Sequence, residues 1–158
     1  MHEPLTQILN FVQIDDRLAT AGQPTAAQFG TIHDAGFDTV INLATPSSPG
    51  AISDEDSIVA ANGMHYVAIP VDFKQPQIQD LGDFFTVMQD DDYDKRFVHC
   101  AYNWRVSVFV YLYRTLCQGM DVEQAEADLH RIWSPDPVWS EFIVRAATDP
   151  DITVKAHS

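Results

Sequence analysis

The sequence predicts an α/β fold, with a central, mostly parallel sheet flanked by helices. Three observations lead there. Short β-prone apolar runs, "DTVINLA", "MHYVAIPVD" and "KRFVHC", alternate with longer segments whose apolar residues recur every three or four positions. Strands that alternate with helices are joined most simply as parallel strands with right-handed crossovers. Finally, no internal repeat, low-complexity tract or long linker divides the chain, so the 158 residues read as one domain.

The elements follow in order. "LATAGQPTAAQFGTIHDAGFDTVINL" opens with a turn at Gly22 to Pro24 and continues as a helix in which Thr25 is the N-cap and Gly36 the stop. After the strand "DTVINLA", the Pro- and Ser-rich loop "TPSSPGAIS" leads into "DEDSIVAANG", an acidic helix start closed by Asn-Gly. "MHYVAIPVD" is the next strand. In "QPQIQDLGDFFTVMQD", residues Ile78, Leu81, Phe84, Phe85 and Met88 form one helical face. "KRFVHC" is then a short strand and "VSVFVYLYRTLCQG" a largely apolar helix ending near Gly119. Two more helices are expected, one from Asp121 in "DVEQAEADLHRIW" and one in "SPDPVWSEFIVRAAT" behind a Pro-rich turn.

Composition narrows the function. The formal charge of −14, without a Lys/Arg cluster, argues against nucleic acid and anionic membranes as partners. A single anionic group could still be held by local donors, because distant charges are screened. No apolar run is long enough to span a bilayer, and the N-terminus lacks the pattern of a secretory signal, so a cytoplasmic location is expected. Cys100 and Cys117 are too few for a disulfide framework. His33, His65 and His130 lack ligand spacing, so neither a metal nor another cofactor is expected. Oligomeric state cannot be read from the chain.

The stretch that carries chemistry is "FVHCAYNWRVS". Cys100 lies at the carboxyl end of a strand, where α/β sheets bind ligands, and Arg105 lies where the next helix begins. Ala101, Tyr102, Asn103 and Trp104 would form a tight loop whose amides, with the helix N-terminus, make an anion site. The same field favours a thiolate at Cys100, and Arg105 offers a planar fork to two oxyanion oxygens. His99 could hold the loop by hydrogen bonds. The plainer alternative makes Cys100 a small buried hydrophobe and Arg105 a surface residue.

"HCAYNWRVS" resembles the phosphate-binding loop of the cysteine-dependent protein tyrosine and dual-specificity phosphatases. "ATAGQPTAAQFGTIHDAGFDTVINL" is similar to the start of a bacterial branch, the beta-lactamase-hydrolase-like or DUF442 phosphatases. The similarity spans about residues 18 to 145. It implies a three-layer protein tyrosine phosphatase-like architecture and a phosphomonoester hydrolase acting through a phosphocysteine on a phosphorylated small molecule or phosphoprotein. The widespread loop has five residues between Cys and Arg, a central Gly, and Ser or Thr directly after the Arg. Here four residues intervene, Asn103 takes the Gly place, and Ser107 stands one step late. Asn tolerates left-handed backbone angles and so can keep the turn.

The resemblance also implies a proton donor about thirty residues before the cysteine. Asp72 in "IPVDFKQ" stands 28 positions upstream; the alternative is an Asp that only turns the chain. Asp136 in "IWSPDPVW" is a substitute acid, and Trp133 and Trp139 form either a wall over the site or a packed corner. Gln23 of the "GQP" turn approaches the pocket by the same resemblance. Cys117 reads as structural. Two other functions stay open: a rhodanese-type sulfurtransferase with a persulfide on Cys100, which also uses four intervening residues, and a non-catalytic oxyanion- or phosphoprotein-binding module.

Overall fold

The computed structural model describes residues 4–157. After a 3-10 turn at Leu5–Gln7, the order is β1 (Val12–Asp15), β2 (Leu18–Ala21), α1 (Gln28–Asp34), β3 (Thr39–Asn42), α2 (Glu55–Ala61), β4 (His65–Ala68), α3 (Ile78–Met88) and β5 (Arg96–His99). The second half is helical: α4 (Trp104–Leu112), a π-helical turn at Tyr113–Cys117, α5 (Val122–His130), α6 (Pro137–Thr148) and α7 (Pro150–Ala156).

The five strands lie in the order β1-β2-β5-β3-β4. β2, β5, β3 and β4 are mutually parallel, and β1 joins the edge antiparallel to β2. The sheet is thus mostly parallel, as expected from the alternation. The β1–β2 hairpin is a finding: its tight turn at Asp15 to Arg17 is closed by the Arg17 amide donating to Asp15 Oδ1 at 2.8 Å.

Period-two side-chain alternation divides the core into two layers. Leu18, Ile41 and Val98 face one side and pack with Phe84, Phe85, Phe109, Trp139 and Phe142 from α3, α4 and α6. Their neighbours Ala19, Val40 and Phe97 face the other side and pack with Phe29, Ile32 and Val59 from α1 and α2. This is the three-layer α/β/α architecture. α4 is buried at every residue from Arg105 to Leu112, which is why its sequence is apolar around the whole helix.

Local signals hold in detail. Thr25 and Gln28 form a reciprocal capping box: the Gln28 amide donates to Thr25 Oγ1 at 3.3 Å and the Thr25 amide to Gln28 Oε1 at 2.9 Å. Gly36 ends α1 at φ 96°. The apolar helix after Cys100 differs from expectation at both ends. It starts at Trp104, and beyond Leu112 it widens into the π-helical turn rather than running on as α-helix to Gly119.

Candidate active site

Parallel register puts the ends of four strands on one edge. Ala21 and Asn42 both pair with His99, and Asn42 also pairs with Ala68, so the chain leaves β2, β3, β4 and β5 at the same level. The loop after β5 carries Cys100, and the segments after β3 and β4 close over it.

Between these segments is a cavity of about 410 Å³. Cys100, Ala101, Tyr102, Trp104 and Arg105 line its floor and one wall. Thr45 and Ser48 come from the loop after β3, and Asp72, Phe73 and Lys74 from the loop after β4. Cys100 and Asp72, apart in sequence, therefore share one cavity. Cys100 is 1 % exposed, yet it lines open space rather than only apolar packing.

Arg105 is held as a fork before any ligand arrives. One guanidinium nitrogen donates to the carbonyl of Val71 at 2.9 Å, the other to Ser48 Oγ at 3.3 Å, and Phe73 lies under the group with its ring centre 6.0 Å away. Ser48 is fixed in turn by the Thr45 amide, which donates to its Oγ at 2.9 Å. The Pro- and Ser-rich loop thus orients the arginine, a role its composition did not reveal.

The turn of the loop falls on Asn103, at φ 68° and ψ 4°, the left-handed region. Its side chain points away from the cavity: Nδ2 donates to the carbonyl of Asn10 at 2.9 Å and to Thr20 Oγ1 at 3.0 Å. Asn10 answers by donating from Nδ2 to the carbonyl of Tyr102 at 2.9 Å. On the other flank, the backbone of the "GQP" turn runs directly against the loop. The Gln23 amide donates to the carbonyl of Ala101 at 2.9 Å, and a Cβ on Gly22 would lie 2.6 Å from that same oxygen. Only glycine fits there.

The remaining candidates are placed as follows. Asp72 turns the chain, its Oδ1 accepting from the Lys74 amide at 2.9 Å, and it is exposed at the cavity mouth. Gln23 does not line the cavity; its side chain donates to Glu55 Oε1 at 2.8 Å beneath the loop. Ser107 does not line it either. Its hydroxyl donates to the carbonyl of Trp104 at 2.7 Å and accepts from Trp133 Nε1 at 2.9 Å. Asp136 caps α6 by accepting from the Trp139 amide at 2.9 Å. Trp133 stacks on Trp104 at 5.1 Å with planes 7° apart, and Trp139 Nε1 donates to the carbonyl of Phe73 at 2.8 Å. The aromatic corner is therefore also the support of the cavity wall.

Glu55 was missed in the sequence, where it reads as an acidic helix start. It is 2 % exposed, and His99, 0 % exposed, sets Nε2 2.7 Å from its Oε2. Nδ1 of His99 lies 3.2 Å from the carbonyl oxygen of Cys100. Burial, opposed by the hydrogen bond that Asn42 Nδ2 donates at 3.0 Å and aided by the nearby Glu55 and Asp56, pushes the Tyr66 hydroxyl up to about 12. Burial alone pushes Cys117 up to about 11. Among the described residues no cluster of His, Cys, Asp or Glu could hold a metal ion, and no helix is long and apolar enough to cross a membrane.

A cysteine at the end of a central parallel strand, a four-residue loop, and an arginine in the first turn of a buried helix form a cysteine-centred oxyanion site, and the family of the chain makes its class that of the cysteine-dependent phosphatases. The chain belongs to the DSP-PTPase phosphatase family described as fused to NAD+ kinase, whose model matches residues 10–139. A DUF442 protein of Shewanella putrefaciens CN-32 is 33 % identical, with a TM-score of 0.80 and coverage of 98 % of this chain and 97 % of that one. The core catalytic domain of the PP-IP phosphatase SIW14 from S. cerevisiae shares the fold at 15 % identity, with a TM-score of 0.77 over 98 % of this chain and 93 % of that one. A beta-lactamase hydrolase-like protein of Agrobacterium fabrum is 41 % identical over 64 residues, which are 38 % of this chain. The match spans only 15 % of that relative's length. The phosphatase resemblance read from "HCAYNWRVS" and the "GQP" segment is thus the family to which the chain belongs.

Proposed function

We propose that the chain hydrolyses phosphomonoesters of a small molecule or a protein through a phosphocysteine at Cys100. The observation that carries this reading is the shared cavity of Cys100, Asp72 and Arg105 at the strand ends. In the first step the Cys100 sulfur attacks phosphorus, the bond from phosphorus to the leaving oxygen breaks, and Asp72 in its acid form gives that oxygen a proton. In the second step Asp72 takes a proton from water as the water oxygen attacks phosphorus. The sulfur–phosphorus bond breaks, and inorganic phosphate and the thiolate are released. Arg105 binds two of the non-bridging oxygens, and the amides of the loop and of the first turn of α4 receive the charge that develops on them.

The test is release of phosphate from an aryl phosphate. Cys100→Ser abolishes it, and Asp72→Ala lowers kcat by about 10²- to 10⁴-fold, the usual share of a general acid. Asp136→Ala, which removes only a helix cap, leaves the rate in place. Phosphate release surviving in Cys100→Ser overturns the reading. Sulfur transfer from thiosulfate to cyanide, with one sulfur atom added to Cys100 and no phosphate release, replaces it with the sulfurtransferase that the four-residue spacing also allows.

A further inference from the structure

The open surface at the strand ends continues past the Cys100 cavity. Beyond Lys74 a second groove of about 500 Å³ runs between the turn that follows Asp72 and one face of α6. Gln75 and Gln77 line it on one side and Val138, Glu141 and Arg145 on the other, while Lys74 lines both the groove and the cavity. A phosphate and the side chain that carries it fit within the first space. Only a longer molecule reaches the second.

Charge sets this groove apart. The chain has nine Lys and Arg against 23 Asp and Glu. Most of the nine are engaged: Arg17 by Asp94, Arg114 and Arg131 by Asp128, Lys95 and Arg96 by the carbonyls of Ala35 and Met88, and Arg105 at the Cys100 cavity. Lys74 is exposed and enters no ion pair among the described residues, and Asp72 Oδ1 fixes its backbone by accepting from its amide at 2.9 Å. Arg145 is held in place: one guanidinium nitrogen donates to the carbonyl of Pro76 at 3.1 Å, and the group lies over Phe142 with the ring centre 5.4 Å away. Its side chain is still 49 % exposed, and a guanidinium has five N–H donors, so most of them remain for a ligand. Glu141 also lines the groove, but it stands 4.0 Å from Arg145 and is 77 % exposed, a contact at the outer limit of an ion pair that water largely screens.

The polar lining points to the kind of occupant. Gln75 and Gln77 are exposed, and each has a side-chain amide that both donates and accepts, as a peptide backbone does. Gln77 Nε2 braces the turn by donating to the Gln75 carbonyl at 3.1 Å. Val138, 43 % exposed, adds one apolar contact.

We propose that the substrate is a phosphorylated protein segment, whose phosphorylated residue enters the Cys100 cavity while an acidic residue nearby in the same segment lies in the groove between Lys74 and Arg145. The proposal rests on the phosphatase reading above and, within it, chooses the phosphoprotein over the small molecule.

Binding tests it apart from turnover. Two fluorescein-labelled phosphotyrosyl peptides, alike except that Glu flanks the phosphotyrosine in one and Gln in the other, are titrated with Cys100→Ser protein and followed by anisotropy. The Glu peptide binds about fivefold more tightly at low salt, which is what two exposed ion pairs supply, and the gap closes at about 1 M salt, where the screening length is about 3 Å. The net charge of −14 opposes such a preference, so the preference reports local cations. With Lys74→Gln and Arg145→Gln added together, the two peptides bind alike. Equal affinities before those substitutions, or a preference that survives both, overturns the proposal. So does free O-phosphotyrosine that binds as tightly as the Glu peptide. Should loss of the Pro76 contact unfold the Arg145 variant, Lys74→Gln alone decides: the preference falls to about twofold, and an unchanged preference overturns the proposal. A preference in a protein that releases no phosphate from an aryl phosphate refutes hydrolysis and leaves the groove standing, whereas aryl phosphate turnover without a preference refutes the groove alone.

Discussion

Gly22 shows how closely single residues are constrained around the loop. Any side chain there meets the Ala101 carbonyl at 2.6 Å, a backbone atom that cannot swing aside. Gly22→Ala therefore shifts the loop or the turn and costs about 1–3 kcal/mol, the usual cost of overpacking. Urea unfolding measures the loss, and hydrolysis falls with it because the displaced oxygen belongs to the loop. The meeting of Cys100, Arg105 and Asp72 at one cavity was legible in the sequence because the first two are close in the chain and all three follow strands. Glu55, Ser48 and Lys74 were not. What makes them matter is burial or proximity created by the fold, and an acidic helix start or a serine in a loop carries no local mark of that.

Among the elements, the left-handed turn at Asn103 separates backbone from side-chain effects. Glycine keeps the φ of 68° but loses the bonds to Asn10 and Thr20; alanine loses both bonds and strains the backbone as well. Asn103→Ala is thus less stable than Asn103→Gly by about 1 kcal/mol, the difference that left-handed geometry imposes on a residue with a Cβ. Equal unfolding midpoints for the two would show that the turn is unstrained. The helices α1 to α6 and the strands β3, β4 and β5 were readable because their apolar periodicity stands out between turn residues, whereas α7 was not. The β1–β2 hairpin escaped because β2, "LATA", has no polar face to alternate with: all four residues are buried. Ser107 stands one position after the place that the Ser or Thr of the widespread loop occupies. Its place in α4 turns the hydroxyl toward Trp104 and Trp133, an outcome decided by helix phase.

For the molecule as a whole, the excess of acid bears on stability more than on ligand choice. The chain carries 23 Asp and Glu, and among the described residues Glu55 is the carboxylate whose buried pairing with a histidine links an outer helix to the central sheet. Its folded-state carboxyl lies below the ordinary 4.5, so the unfolded chain takes up the proton first. The stability it contributes is fully present above about pH 5 and is lost as pH falls from there through the folded-state value. Unfolding in urea at pH 7 and at pH 4 tests this. The unaltered protein loses stability between the two, and Glu55→Gln, weaker at pH 7, loses less; equal losses would mean that other carboxylates dominate the acid transition.

The exchange of hydrogen bonds between Asn10 and the pair Tyr102 and Asn103 ties together positions more than ninety residues apart. The loop from Cys100 to Arg105 is therefore not a portable peptide. Its shape is completed from outside itself, and a fragment trimmed to begin after Asn10, or a graft of "HCAYNWR" into a foreign scaffold, inherits Cys100 and Arg105 without the frame that aims them.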